Sequence, residues 1–232
     1  MRAIFFLTFL AFGSGAVAAQ DFEFAVRHHH TLKDCRGVLK FTGDGVEYRT
    51  AHAKDSRTWK YSELRVIKVE SSAKIAVITY EDQKRLLGKD REFEFTLLER
   101  KIPAQLSAFL LSKVSRPMVL AVFPETGKPA FEVPVKHLET LGGARGILRI
   151  FPDRVVFKSS REGDSRIWRL QDIERFGQSD RFRLQITSRV PRRGGPTEVY
   201  NFELLEDMPE GLYDYLWVRL HPSTYYPETQ FK

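Results

Sequence analysis

FEFAVRHHHTLKDCRGVLKFTGDGVEYRTAHAKDSRTWKYSELR, Phe22 to Arg65, lies without a gap on FEVPVKHLETLGGARGILRIFPDRVVFKSSREGDSRIWRLQDIE, Phe131 to Glu174. Fifteen of the 44 aligned positions are identical, among them Val26 and Val135, His28 and His137, Arg36 and Arg145, Gly37 and Gly146, and Leu39 and Leu148. Asp55-Ser56-Arg57 matches Asp164-Ser165-Arg166 as a block, and a tryptophan follows two residues later in each copy, Trp59 and Trp168. Further on, FTLLERKIP (Phe95 to Pro103) answers FELLEDMP (Phe202 to Pro209). A repeat of this extent divides the chain into two units of about a hundred residues each.

Within each unit the apolar residues recur mostly with period two, as half-buried strands require. In the first unit this predicts strands near 22–29, 36–42, 45–50, 56–61, 64–71, 74–80 and 91–98. Thr42-Gly43-Asp44-Gly45 reads as a hairpin, because Asp-Gly tolerates the positive φ of a tight turn. Pro103 suits the first turn of a helix on which Leu106, Phe109, Leu110 and Val114 recur at helical spacing. In the second unit Pro209 opens a helix carrying Leu212, Tyr215, Leu216 and Leu220 on one face. Seven strands and then one helix are expected twice.

That order, with the local pattern GVLKFTGDGVEYRT…SRTWKYSELRVIKV, resembles the pleckstrin-homology-like superfold, and within it the GRAM-type and bacterial PH-like domains. The resemblance covers nearly all of both units. It implies a mainly β fold of two tandem barrels, each of about seven antiparallel strands plugged at one end by a C-terminal helix. It also implies a binding scaffold, since members of the family bind lipid headgroups or peptides and proteins, and the fold alone does not choose among these. Lipid-binding members gather Lys and Arg around the first hairpin. Here Arg27, Lys33, Arg36 and Lys40 lie in that region, with Lys136, Arg145 and Arg149 in the copy, but not at the phosphoinositide spacing.

With 232 residues, 42% of them apolar and 12% aromatic, the chain can bury a full core. Its opening, MRAIFFLTFLAFGSGAVAA, carries a basic Arg2, an apolar run from Ala3 to Phe12 and small residues at Ala16, Ala18 and Ala19. That is the layout of a cleavable secretory signal, and the run is short for a membrane span. A secreted or periplasmic protein beginning near Gln20 is expected. The domain plan is then a signal at 1–19, a first PH-like domain at 20–116, a packed interdomain segment at 117–130 and a second PH-like domain at 131–232. The segment earns its place as packed because Met118 to Phe123 is apolar and bounded by Pro117 and Pro124, unlike a free linker.

Charge is shared unevenly. Residues 20–118 carry 19 Lys and Arg against 14 Asp and Glu, and residues 119–232 carry 17 against 16. The first unit is therefore the better candidate for an anionic partner. Basic residues are not massed into runs with exposed aromatic partners and the chain reads as exported, so nucleic acid is not an expected partner.

Three consecutive histidines beside Cys35, the single cysteine, raise the question of a metal. Successive strand residues point to opposite faces, so His28, His29 and His30 cannot all face one ion. Only His28 recurs, as His137; His29 becomes Leu138, His30 becomes Glu139 and Cys35 becomes Ala144. A soft nitrogen and sulfur site common to both units is thereby excluded, a zinc site confined to the first unit is the lesser reading, and no metal and no cofactor are expected. Cys35 reads as a small buried hydrophobe and His28 and His137 as equivalent strand ends bonded to backbone or acid.

In the Asp-Ser-Arg-x-Trp block, Asp and Ser suit backbone hydrogen bonds at a loop, while Arg and Trp can stack or face a ligand. The chain has no G-x-S-x-G elbow, H-E-x-x-H helix or phosphate loop, so catalytic residues are not assigned. The candidate ligand-binding residues are Arg27, His28, Arg36, Arg57 and Trp59, with Lys136, His137, Arg145, Arg166 and Trp168. The expected function is non-enzymatic binding of a protein or peptide, or of an anionic ligand. A membrane-surface binder is an alternative, recognisable by apolar loop tips beside basic residues. An enzyme is another, and would need a matched acid to converge with His28 or His137 in a cleft.

Overall fold

The computed structural model describes residues 21–30, 34–82, 90–140, 142–191 and 197–222. The signal expected at 1–19 and Lys33 lie outside them. The first half forms β1 (Phe22–His29), β2 (Cys35–Phe41), β3 (Gly45–Thr50), β4 (Arg57–Lys60), β5 (Leu64–Ser71), β6 (Lys74–Asp82), β7 (Asp90–Leu97) and α1 (Ala104–Lys113). After β8 (Met118–Leu120) the second half repeats the series. It forms β9 (Phe131–Leu138), β10 (Gly143–Ile150), β11 (Arg154–Ser159), β12 (Arg166–Arg169), β13 (Ile173–Asp180), β14 (Arg183–Pro191), β15 (Thr197–Leu204) and α2 (Leu212–Leu220).

Alternation decides which face each strand buries. On β1, Phe22, Phe24, Val26 and His28 point inward, and on β9 Val133, Val135 and His137 do the same. The matched glycines serve close packing. A Cβ on Gly37 would lie 2.3 Å from the Arg49 carbonyl oxygen and 2.6 Å from the Tyr48 ring; on Gly146 it would lie 2.2 Å from that of Lys158 and 2.6 Å from the Phe157 ring. The hairpin after β2 forms as expected, with the Thr42 N–H donating to the Gly45 carbonyl at 2.9 Å. Its reason differs from the expected one, because Gly45 is not among the positive-φ glycines. The Thr42 hydroxyl accepts the Asp44 and Gly45 N–H groups, and a Cβ on Gly45 would fall 2.0 Å from the Trp59 carbonyl oxygen.

Within each half the strands are ordered alike, β5-β6-β7-β1-β2-β3-β4 and β13-β14-β15-β9-β10-β11-β12. Pairing does not stop at either unit. β8 lies parallel to β5, with Met118, Val119 and Leu120 opposite Ile67, Lys68 and Val69, and antiparallel to β12, with Leu120 opposite Ile167. The result is mainly β, with two helices and one open, mixed sheet of 15 strands among the described residues. Two independently closed barrels are therefore not what the hydrogen bonding describes. The interdomain segment occupies the gap where each unit's flanking strand would otherwise end in a free edge.

Two cores sit in this sheet, and the helices close them. Leu106 and Leu110 of α1 enter the first, and Leu212 and Leu216 of α2 enter the second. Pro103 stands just before α1, whereas α2 begins only at Leu212, after a turn in which Pro209 accepts the Leu212 N–H and Gly211 adopts a φ of 76°. The first core also takes in Phe151, Val156 and Ile167 from the second half, and Val66, Ile78, Val119 and Val190 form a small apolar cluster of their own. Arg169 adds a polar clasp: it donates to the carbonyls of Val114 at 2.5 Å and Arg116 at 2.8 Å while forking onto the buried Asp172.

Candidate functional site

The two matched histidines stand at equivalent strand ends, in equivalent aromatic surroundings. His28 is 4% exposed, with ring centroids of Phe95, Tyr48 and Phe93 at 4.9, 5.1 and 5.7 Å. His137 is 8% exposed, with Phe202, Phe157 and Tyr200 at 5.3, 5.7 and 5.7 Å. Burial lowers the His28 pKa to about 4, and the nearby cationic charge of His30 and Arg91 adds to the effect. The polar partners, however, differ between the units.

In the first unit β1 pairs with β2 so that His28 lies opposite Cys35. The strand pleat puts His30 on the same side as His28, their ring centroids 4.1 Å apart. His29 points the other way, its Nε2 2.8 Å from Thr96 Oγ1 and its Nδ1 3.3 Å from Asp34. Cys35 Sγ lies 2.9 Å from His30 Nε2, 3.0 Å from the Tyr48 hydroxyl and 3.8 Å from His28 Nδ1. The reading of Cys35 as a buried hydrophobe thus gives way to a half-buried thiol among polar groups. A cavity of about 600 Å³ opens onto it, lined by His30, Asp34, Cys35, Arg36, Thr50, Ala51, His52 and Asp55.

In the second unit His137 Nδ1 lies 3.0 Å from Asp164 Oδ1, and the other carboxylate oxygen accepts the Ser159 hydroxyl at 3.1 Å. Glu139, in the place of His30, is bound by Arg161 at 2.6 Å. Burial pushes the Asp164 carboxyl up, but the hydrogen bond and charge of His137, the Ser159 hydroxyl and Arg161 together outweigh it and hold its pKa below the ordinary carboxylate value. A cleft of about 880 Å³ lies over this pair, walled by His137, Glu139, Asp164, Arg166, Gly177, Arg183, Glu198 and Tyr200 among others. The convergence of His137 with Asp164 was not specified by their spacing of 27 residues. The available signal was that both belong to matched positions.

The Asp-Ser-Arg-x-Trp block divides its labour. Ser56 accepts the Thr50 N–H at 3.1 Å and Ser165 the Ser159 N–H at 3.0 Å, so the serines tie each loop to the preceding strand. Arg57 donates to the carbonyls of Lys54 and Ser56, and Arg166 to those of Gly163 and Ser165. Among the described residues the buried Arg166 Nε has no hydrogen-bond partner, and Arg166 stands on the wall of the larger cleft. Trp59 and Trp168 are 4% and 2% exposed and belong to the two cores. Both indoles pack within these cores, and the Trp59 Nε1 donates to Glu81 at 3.2 Å.

The remaining basic candidates collect elsewhere. Arg27 lies opposite Arg36 across β1 and β2, and Lys136 lies opposite Arg145 across β9 and β10. Because His28 and His137 turn inward, their strand neighbours Arg27 and Lys136 turn outward. Arg27 and Lys136 thus lie on the face opposite the buried histidines, while Arg36 lines the cavity beside His30 and Cys35.

No protein-family model matches this chain, and no curated protein matches it. Among solved structures it is similar to the Spt16D Pob3N heterodimer, at 10% identity over 84% of this chain and 99% of that one, with a TM-score of 0.30. A superposition this loose assigns the chain neither a family nor a function.

Proposed function

We propose that this chain is an exported, non-enzymatic binding protein built from two tandem PH-like units, and that it takes an extended protein or peptide segment at the cleft of the second unit. The repeated strand order and the helix closing each core support the PH-like reading, and the residues at 1–19 support export. The observation that carries the binding site is β8. In the first unit Ile67, Lys68 and Val69 on β5 accept an added parallel strand. The repeat offset carries those positions onto Phe176, Gly177 and Gln178 of β13. Among the described residues β13 pairs only with β14. An unpaired edge offers its N–H and C=O groups to an incoming chain, and alternate side chains then supply specificity. Gly177 and Gln178 both line the cleft.

Gly177 provides the test, because a Cβ there would meet nothing within 4 Å. Gly177→Phe fills the cleft without disturbing the core. Seven-residue peptides selected from a random display library on the mature chain should bind Gly177→Phe at least tenfold more weakly, at an unchanged melting temperature. Peptides that bind both proteins equally would place recognition elsewhere.

A second reading is favoured by the His137 and Asp164 pair, which is a matched acid and histidine in a cleft and so could serve as a general base. Among the described residues no hydroxyl or thiol is hydrogen-bonded to His137, so its reaction would be activation of water. The membrane-surface reading draws on the exposed Phe182 between Arg181 and Arg183, but Asp207 and Asp180 already pair those two cations.

A further inference from the structure

We propose that the first unit binds one divalent transition cation of the zinc class through His28, His30 and Cys35. Their three ligating atoms lie within 4.8 Å of one another. With metal bonds of about 2.0 to 2.3 Å, the edges of a tetrahedral site are roughly 3.3 to 3.7 Å long. The distances from Cys35 Sγ to the two imidazole nitrogens, 2.9 and 3.8 Å, bracket that range. Shifts of less than an ångström therefore turn the cluster into three corners of the site. Two imidazoles and a thiolate favour zinc-like cations over magnesium or calcium, which take oxygen ligands. As the sulfur takes the cation, its proton leaves to solvent.

The surroundings meet the other requirements of a metal site. The cavity at His30 and Cys35 gives the ion a path from solvent and leaves a fourth position for water. The Tyr48 hydroxyl, 3.0 Å from Cys35 Sγ, can orient the thiolate from outside the coordination sphere. Comparison within the chain sharpens the case. At the same strand end of the second unit, Ala144 replaces the cysteine and His137 already has Asp164 at 3.0 Å. In the first unit, Asp55 lies on the cavity wall and forms no hydrogen bond to His28. One unit satisfies its buried histidine with an internal acid; the other surrounds it with soft ligands.

This inference does not depend on the peptide-binding reading. Its test is titration of the mature chain with cobalt(II) alone, followed by displacement with zinc(II). One equivalent should bind and give the thiolate-to-cobalt absorption in the near ultraviolet together with the visible bands of a tetrahedral ion. Cys35→Ser should abolish the thiolate band, and His30→Gln should weaken binding by at least about tenfold. His29→Gln is the control, because His29 points to the other face, and it should bind as wild type does. Circular dichroism melts would confirm that each variant is folded. Cobalt binding of equal strength in Cys35→Ser, equal losses in His29→Gln and His30→Gln, or no binding at micromolar metal would each overturn the proposal.

Discussion

Asp164 shows how one side chain serves both the fold and the cleft. Its carboxylate is held below its ordinary pKa by partners that exist only in the folded chain, so the unfolded state takes up the proton first as pH falls. The stability it contributes is complete above the ordinary carboxylate pKa and is lost as pH drops through the depressed folded value. Wild type should therefore lose more stability than Asp164→Asn between about pH 5 and 3, measured by urea unfolding across that window. Parallel losses would mean that the carboxylate is not preferentially stabilised in the fold. The tryptophans contribute through volume. Trp59→Ala should cost about 3 to 5 kcal/mol, enough to threaten a marginal domain. An unchanged melting temperature would show that the indole is not a core group.

Among the elements, β8 does the most with the fewest residues. Met118, Val119 and Leu120 are all buried, and Leu120 faces Val69 in one half and Ile167 in the other. Removing side-chain volume there weakens both contacts at once. Leu120→Ala should cost about 2 to 5 kcal/mol and lower the melting of both halves together. Calorimetry that shows only one half melting earlier would make β8 a part of that half alone. Its role was partly readable, since an apolar run between two prolines is unsuited to a solvent-exposed tether. The parallel pairing with β5 was not readable, because three residues carry no register information of their own.

For the whole molecule, the continuous sheet, the Val66, Ile78, Val119 and Val190 cluster and the Arg169 clasp all resist reorientation of the halves. Small-angle scattering of the mature chain should fit one rigid two-lobed particle. A curve that demands an ensemble of independently turning lobes would show that the sheet breaks at β8 in solution.

What the sequence by itself determined is the repeat, the strand and helix succession and the inward face of each strand. These follow from periods of two and 3.6 residues and from an offset that holds over dozens of positions. That basis puts His28 and His137 at equivalent strand ends and turns His29 to the face opposite its neighbours. Only the tertiary structure decided that Cys35 meets His30 while Asp164 meets His137, and that pairing runs through β8 instead of ending at each unit. Those outcomes depend on where strands distant in the chain come to lie side by side. Local periodicity specifies which way a side chain points, but the distance it must reach is set by strand pairing and core packing.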